Sequence, residues 1–237
     1  MQSNISKACA DFLRSNCVNQ ENNKLKATHA RELAAAFFGY KSHAALLAEK
    51  TYPLDNLADA AVLVPDVVLL DQRRKKLGGL PGGLPESRAL AQQLAGFLKD
   101  EKYFSGKVWL YDSLETYVME VLLPENDSVV MDSLSGPMAE TNALFDETYY
   151  EEASVLEGDD GITIAVTGQC NGTSDQDKPY CGDQIDINVT VELSRVAARN
   201  AFMEPDISAN GGVNDDWVDP ELKYGKIPEG SPKDQFI

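Results

Sequence analysis

The spacing of apolar positions divides the chain into a helical front and a strand-bearing back. Ile5, Ala8, Phe12 and Leu13 recur at intervals of three and four, the repeat of one helix face, and predict a first helix. A polar loop from Asn19 to Asn23 follows. Leu33, Ala36 and Phe37 then mark the face of a second helix, which Thr28 is placed to cap. Gly39 is placed to end that helix, because glycine enters the left-handed C′ conformation without a Cβ penalty. Ser42 can cap a third helix running through Leu46 and Leu47.

Further on, Pro65 suits the first turn of a helix through Val68, Leu69 and Gln72. Its last turn, Arg73-Arg74-Lys75-Lys76, puts cations where the helix dipole favours them, and Gly78-Gly79 stops it. The segment Leu80-Pro81-Gly82-Gly83-Leu84-Pro85 breaks the chain before an amphipathic helix from Glu86 to about Lys99, striped by Leu90, Leu94, Phe97 and Leu98.

From Lys107 the apolar period changes to two. Val108 to Tyr111 and Thr116 to Leu123 read as strands, and 127–143 as a helix broken at Gly136-Pro137. The clearest strand alternates Ile185, Ile187, Val189, Val191 and Leu193 with Asp186, Asn188, Thr190 and Glu192, a half-solvated antiparallel pattern. Ile162 to Thr167 is its expected hairpin partner. From Glu204 onward Gly, Pro, Asp and Asn predict a tail with little regular structure, pinned by Trp217 and Phe236. The reading is an α+β protein: a helical module (1–50), a helical segment (51–106), an acidic α+β domain with an antiparallel sheet and a packed helix (107–203), and an irregular tail (204–237).

Charge sharpens this picture. The net charge is -17 over 237 residues, yet residues 1–106 hold 14 Lys/Arg against 11 Asp/Glu, while 107–237 hold 7 against 27. Between Lys107 and Lys178 lie 16 carboxylates and no cation. Like charges repel across such a region, so segregation of this kind favours a positive partner. No run reaches the roughly 20 apolar residues of a membrane span. Met1-Gln2-Ser3-Asn4 opens no basic and then apolar leader, so a cytoplasmic protein with reduced thiols at Cys9, Cys17, Cys170 and Cys181 is expected.

Candidate chemistry is sparse. The stretch from Leu33 to Leu46 has a small residue, Ala35, four before Gly39, which is the spacing of a helix-turn-helix; Lys41, Ser42 and His43 would then face nucleic acid. A plain helical hairpin is the competing reading. The same Leu…Gly-Tyr…Leu pattern over residues 5–49 resembles the N-terminal helical module of bacterial glyoxalase-related proteins. The remainder, through 134–142 (LSGPMAETN) and 177–183 (DKPYCGD), resembles an uncharacterised family carried on bacterial mobile elements, which implies no particular activity.

His29 and His43 are the only histidines and both lie in the helical module, so a glyoxalase-type metal site on the strands and a His-centred dyad in the C-terminal domain are both excluded. Cys170 and Cys181 bracket a ten-residue loop, either as free thiols or as an oxidised pair. Asp175, Asp177, Asp183 and Asp186 supply oxygen ligands, but Tyr180 stands where a calcium loop requires Gly, so no metal and no cofactor is assigned. Glu157-Gly158-Asp159-Asp160-Gly161 reads as a turn between strands. Signatures of phosphate loops and nucleophile elbows are missing, and no catalytic residue is nominated.

What remains is the acidic run Glu140, Asp146, Glu147, Glu151, Glu152, Glu157, Asp159 and Asp160, with Tyr149-Tyr150 inside it. The bland reading is a solvated face that aids solubility. The sharper one is a docking surface for a basic protein or nucleoprotein complex, in its concrete form a DNA-mimicking inhibitor of a host-defence complex, and not an enzyme. The alternatives are a DNA-associated regulator using residues 28–48 and an enzyme with an unfamiliar carboxylate site.

Overall fold

The computed structural model describes residues 4–16, 24–111, 113–216 and 218. The 19–23 loop, Cys17, Trp217 and Phe236 lie outside the described residues. The fold is α+β, and the chain divides into two compact units, each assembled from separated segments. The first comprises 1–125, 153–165 and 190–207; the second comprises 126–152, 166–189 and 208–237.

In the first unit, α1 (Asn4–Asn16), α2 (Ala27–Phe37), α3 (His43–Ala48), α4 (Val67–Lys76) and α5 (Ser87–Asp100) build a core around Leu13, Leu33, Phe37, Leu70, Leu90 and Leu94, all fully buried. These are positions that helical spacing places on inward faces. Phe12 of α1 stacks on Phe97 of α5 at 4.4 Å between ring centroids. Two terminal assignments change. Lys26 occupies the N-cap of α2 and Thr28 already lies in the first turn, while Asp66 caps α4 by accepting from Leu69 N at 2.7 Å and Pro65 precedes the cap. Ser42 does cap α3, accepting from Ala45 N at 3.1 Å.

The expected strand at 116–123 is a helix instead. Leu114–Tyr117 (α6) passes through a π-helical segment, Val118–Leu122, into Leu123–Glu125 (α7), and Ser113 caps the start by accepting from Thr116 N. The β-branched and aromatic composition misled here. Tyr117, Val118, Leu122 and Leu123 are buried, a spacing that fits one helix face, and Tyr117 stacks on Tyr111 at 4.1 Å. Only Lys107–Val108 (β2) remains extended from the expected 108–111 strand.

One sheet runs β2-β1-β6-β5-β4-β3, with β7 (Asp206–Val213) pairing β5. The short β1 (Val62–Leu63) pairs parallel with β2 and antiparallel with β6 (Ala201–Phe202), and β5 (Gln184–Ala197) pairs antiparallel with β6. The expected pairing of 162–167 with 185–193 is present as β4 (Gly161–Ser174) beside β5. β7 corrects the expectation of an irregular tail from Glu204. Its side chains alternate between exposed and half-buried, which the Gly and Asn content masked.

In the second unit, α8 (Asp127–Ser133) and α9 (Ser135–Ala139) replace a single helix over 127–143, and the break falls at Leu134, just before Gly136-Pro137. Val130, Leu134, Val166, Cys170, Ile185, Ile187 and Val189 are its buried apolar residues. The largest departure from expectation is β3 (Ala143–Glu157), a 15-residue strand at the end of the sheet.

Candidate interaction surface

Strand β3 carries most of the acidic run. Along its length in the second unit, Asp146, Glu147, Glu151 and Glu152 are exposed. Among the described residues none of the four, nor Glu140 after α9, has an ion-pair partner. Alternation divides them between two faces. On one face Thr148 Oγ1 donates to Met131 Sδ of α8 at 3.6 Å, and Cys170 Sγ of β4 approaches the same sulfur at 3.7 Å. Asp146, Tyr150 and Glu152 share that parity. Burial raises the Tyr150 hydroxyl to about 12, with Asp127 and Cys170 adding to the effect.

The opposite face is the more exposed one. Glu147, Tyr149 and Glu151 lie there on β3, with exposed Thr167 on β4 and exposed Asp186 and Asn188 on β5. Tyr149 is 50% exposed and its hydroxyl donates to Glu147 Oε2 at 2.6 Å. That hydrogen bond, then the charges of Glu147 and Asp146, raise the tyrosine above its ordinary range. The pair Tyr149-Tyr150 is thus split, one ring outward and one half-buried. Gly168 of β4 sits against the Tyr149 carbonyl, where a Cβ would collide with backbone, so β3 lies close upon β4.

The remaining three residues of the run belong to the first unit. Glu157, Asp159 and Asp160 form the tight β3–β4 turn, in which Gly158 N donates to Gly161 O at 2.9 Å. They gather around Arg195, whose side chain is 7% exposed. Its guanidinium donates to the carbonyls of Gly158, Asp159 and Arg199, and reaches Glu157 Oε1 at 3.4 Å. Tyr52 closes this cluster, with its ring 5.5 Å from Arg195 Cζ and its hydroxyl donating to Asp160 Oδ1 at 2.8 Å. A cavity of about 760 Å³ is lined by Glu49, Tyr52, Glu157, Asp160, Arg195 and Arg199. Sequence inspection had passed over both arginines and Tyr52, since nothing local marks them.

The helix-turn-helix segment has its turn. Gly39 takes φ +82, with Gly39 N donating to Ala36 O and Tyr40 N to Ala35 O, a Schellman closure of α2. Beyond it, α3 has six residues, about 9 Å of helix. The Ser42 hydroxyl is engaged by its cap, and His43 N donates to Glu32 Oε1 at 3.3 Å. Burial, then Arg31, lowers the His43 imidazole below its ordinary range against the opposing pull of Glu32. Lys41 is exposed.

Cys170 is a buried free thiol and Cys181 a half-buried free one beside Asn142, so they do not pair. Three of the four loop carboxylates meet a protein donor: Asp175 pairs with Lys178 at 3.2 Å, Asp183 accepts from Tyr180 and Ser174, and Asp186 accepts from Asn214. Among the described residues no helix is long and apolar enough to cross a membrane. Neither a scan against protein-family models nor searches of curated proteins and solved structures finds a match to the chain.

Proposed function

We propose that the chain is a non-enzymatic interaction protein whose acidic end strand docks a basic partner. The observation that carries this reading is β3 itself. It is the last strand of the sheet, and it holds Asp146, Glu147, Glu151 and Glu152 exposed without a cation beside them. An unpaired strand edge invites another strand, and carboxylates on it repel a second copy of the same chain while attracting a cationic one.

The linear density of charge limits how the surface acts. Four carboxylates over seven residues of strand give about one per 6 Å, roughly half the density of one DNA strand. Mimicry of duplex DNA therefore needs the open face as well, where Asp186 of β5 joins Glu147 and Glu151. The inhibitor of a basic nucleic-acid-binding complex is the concrete form of this proposal, with a cytoplasmic target.

The test uses a purified basic duplex-binding protein bound to labelled DNA. The chain is expected to displace the duplex with affinity that falls steeply with salt, and E147K/E151K/E152K is expected to lose that ability. Displacement by the reversed variant at wild-type strength overturns the proposal. A second reading, DNA contact through Lys41, Ser42 and His43, is favoured by the Gly39 turn and weakened by the shortness of α3. It predicts direct duplex binding that K41Q reduces.

A further inference from the structure

We propose that the outer edge of β3 in the second unit, residues 143–152, takes up an extended basic segment of the partner as an added strand, with two cationic doublets three residues apart. The inference rests on the reading of β3 as the docking strand, and it names what docks there and how. β3 pairs with β4 on one side and ends the sheet on the other, and among the described residues no strand lies beyond it.

Length set against burial marks this edge as incomplete. Strands inside the sheet bury alternate residues, as β4 does at Val166 and Cys170 and β5 at Ile185, Ile187 and Val189. β3 runs for ten residues in this unit and none of them is buried; an ordinary strand has about five or six in all. Leu144 is 81% exposed and Tyr149 50%. Alternate N–H and C=O groups of an end strand point outward unpaired, so natural sheets keep such edges short, bulged or covered. An edge this long, bearing exposed apolar side chains, is a template for another strand.

The order of its charges says which strand. Residues 146–152 read Asp146-Glu147-Thr148-Tyr149-Tyr150-Glu151-Glu152, two acidic doublets around three uncharged residues. Because successive side chains alternate, each doublet puts one carboxylate on each face: Asp146 and Glu152 on that of Thr148, Glu147 and Glu151 on that of Tyr149. In-register pairing with a second copy would set carboxylate against carboxylate, which excludes the chain itself as the added strand. Side chains directly opposite one another on paired strands are close enough for opposite charges to attract. The complementary segment therefore carries Lys or Arg opposite each doublet. β-Branched residues opposite Thr148 and Tyr150 continue the half-buried face, and an aromatic one packs beside exposed Tyr149. The pattern reads the same from either end, so it serves a parallel or an antiparallel partner.

The probe is the capped peptide Lys-Lys-Val-Tyr-Val-Lys-Lys, titrated into the full chain at about 50 mM salt by NMR and calorimetry. Saturable binding is expected, with alternate amides of 143–152 slowed in hydrogen exchange. The isomer Lys-Val-Lys-Tyr-Lys-Val-Lys has the same composition and charge but all its cations on one face, and should bind about fivefold or more weakly. Two further peptides are N-methylated at the second, fourth and sixth residues, or at the third, fifth and seventh. Only one edge of an added strand faces β3, so one pattern should bind about tenfold or more weakly than the other. E147K/E151K/E152K should lose binding of the parent peptide. Equal affinity of the two N-methyl patterns overturns strand addition; if that binding is still salt-sensitive and lost in the triple variant, the basic-partner reading stands without it. No saturable binding up to about 5 mM also overturns strand addition. The displacement assay judges the basic-partner reading by itself, so the two fail separately.

Discussion

The Tyr52 hydroxyl donates to Asp160 Oδ1 at 2.8 Å, joining residues 108 positions apart, while the Tyr52 ring lies beside the Arg195 guanidinium. The hydrogen bond raises the tyrosine above its ordinary range. It ties the segment after α3 to the β3–β4 turn, and Arg195 fills the space between them.

Arg195 therefore holds this corner. Its donors meet three carbonyls and one carboxylate while the side chain is 7% exposed. R195M should destabilise the protein by about 1.5–3 kcal/mol, because hydrogen bonds from a charged group are lost. R195K should recover only part of that, since one ammonium cannot serve acceptors on several sides. Y52F, which keeps the ring, should have a smaller effect than either. Urea denaturation of the three variants checks the order; R195K matching wild type would remove the argument from geometry.

Gly39 is required for two reasons at once. Its φ is +82, and a Cβ there would stand 3.0 Å from Arg199 Cβ. G39A should cost about 1–2 kcal/mol from backbone conformation alone, with crowding against Arg199 adding to it. G39A/R199G, compared with R199G alone, should recover the crowding part and leave the backbone part. A double-mutant cycle read by thermal denaturation separates the two.

The thiols should differ sharply in reactivity. Cys9 is fully buried and desolvation pushes its thiol up to about 12; burial also raises Cys170, with the Thr148 hydrogen bond opposing. Cys181 is half-buried in a loop. Because the thiolate is the reactive form, alkylation at pH 8 in a C17S background should modify Cys181 first. Cys9 and Cys170 should react only as the protein unfolds. Peptide mass mapping over a time course reads this directly.

Glu49 should give the protein part of its acid sensitivity. Burial by itself raises the carboxyl, but donors from Tyr52 N, Thr51 N and Tyr40 Oη together hold it below the ordinary carboxylate range. A carboxyl depressed in the folded state binds protons more readily when unfolded, so its contribution is present above the unfolded value and is lost as pH falls through the folded one. His43 acts in the same direction at higher pH: its lowered basicity means that stability declines as pH drops below the ordinary histidine value. The melting-temperature gap between wild type and E49Q should be largest near neutrality and shrink below about pH 4. A gap that stays constant with pH would exclude this account.

Local chemistry was enough to read much of the chain. The amphipathic stripes of α1, α2 and α5, the Gly39 stop, the Ser42 cap and the alternation of β5 follow from periodicity and side-chain geometry over a few neighbours. They appear where the sequence places them. The same local reading missed β3, because its period is interrupted by the consecutive exposed carboxylates Asp146-Glu147 and Glu151-Glu152. It misjudged 114–125, where strand-favouring residues fold as a helix because Ser113 caps it and Tyr117 stacks on Tyr111.

By itself, the sequence determined the α+β class, the helical front, the segregation of charge and the lack of a His-based site among the strands. Tertiary structure alone decided which carboxylates stand free on β3 and which fold back on Arg195. It also decided that β3 ends the sheet and that the Asn200 amide donates to the Phe37 and Val64 carbonyls. Helical repeats and caps act within about five residues, so they can be read along the chain. Strand order, ion-pair partners and a buried amide's contacts depend on groups from tens to more than a hundred positions apart, and only packing brings those together.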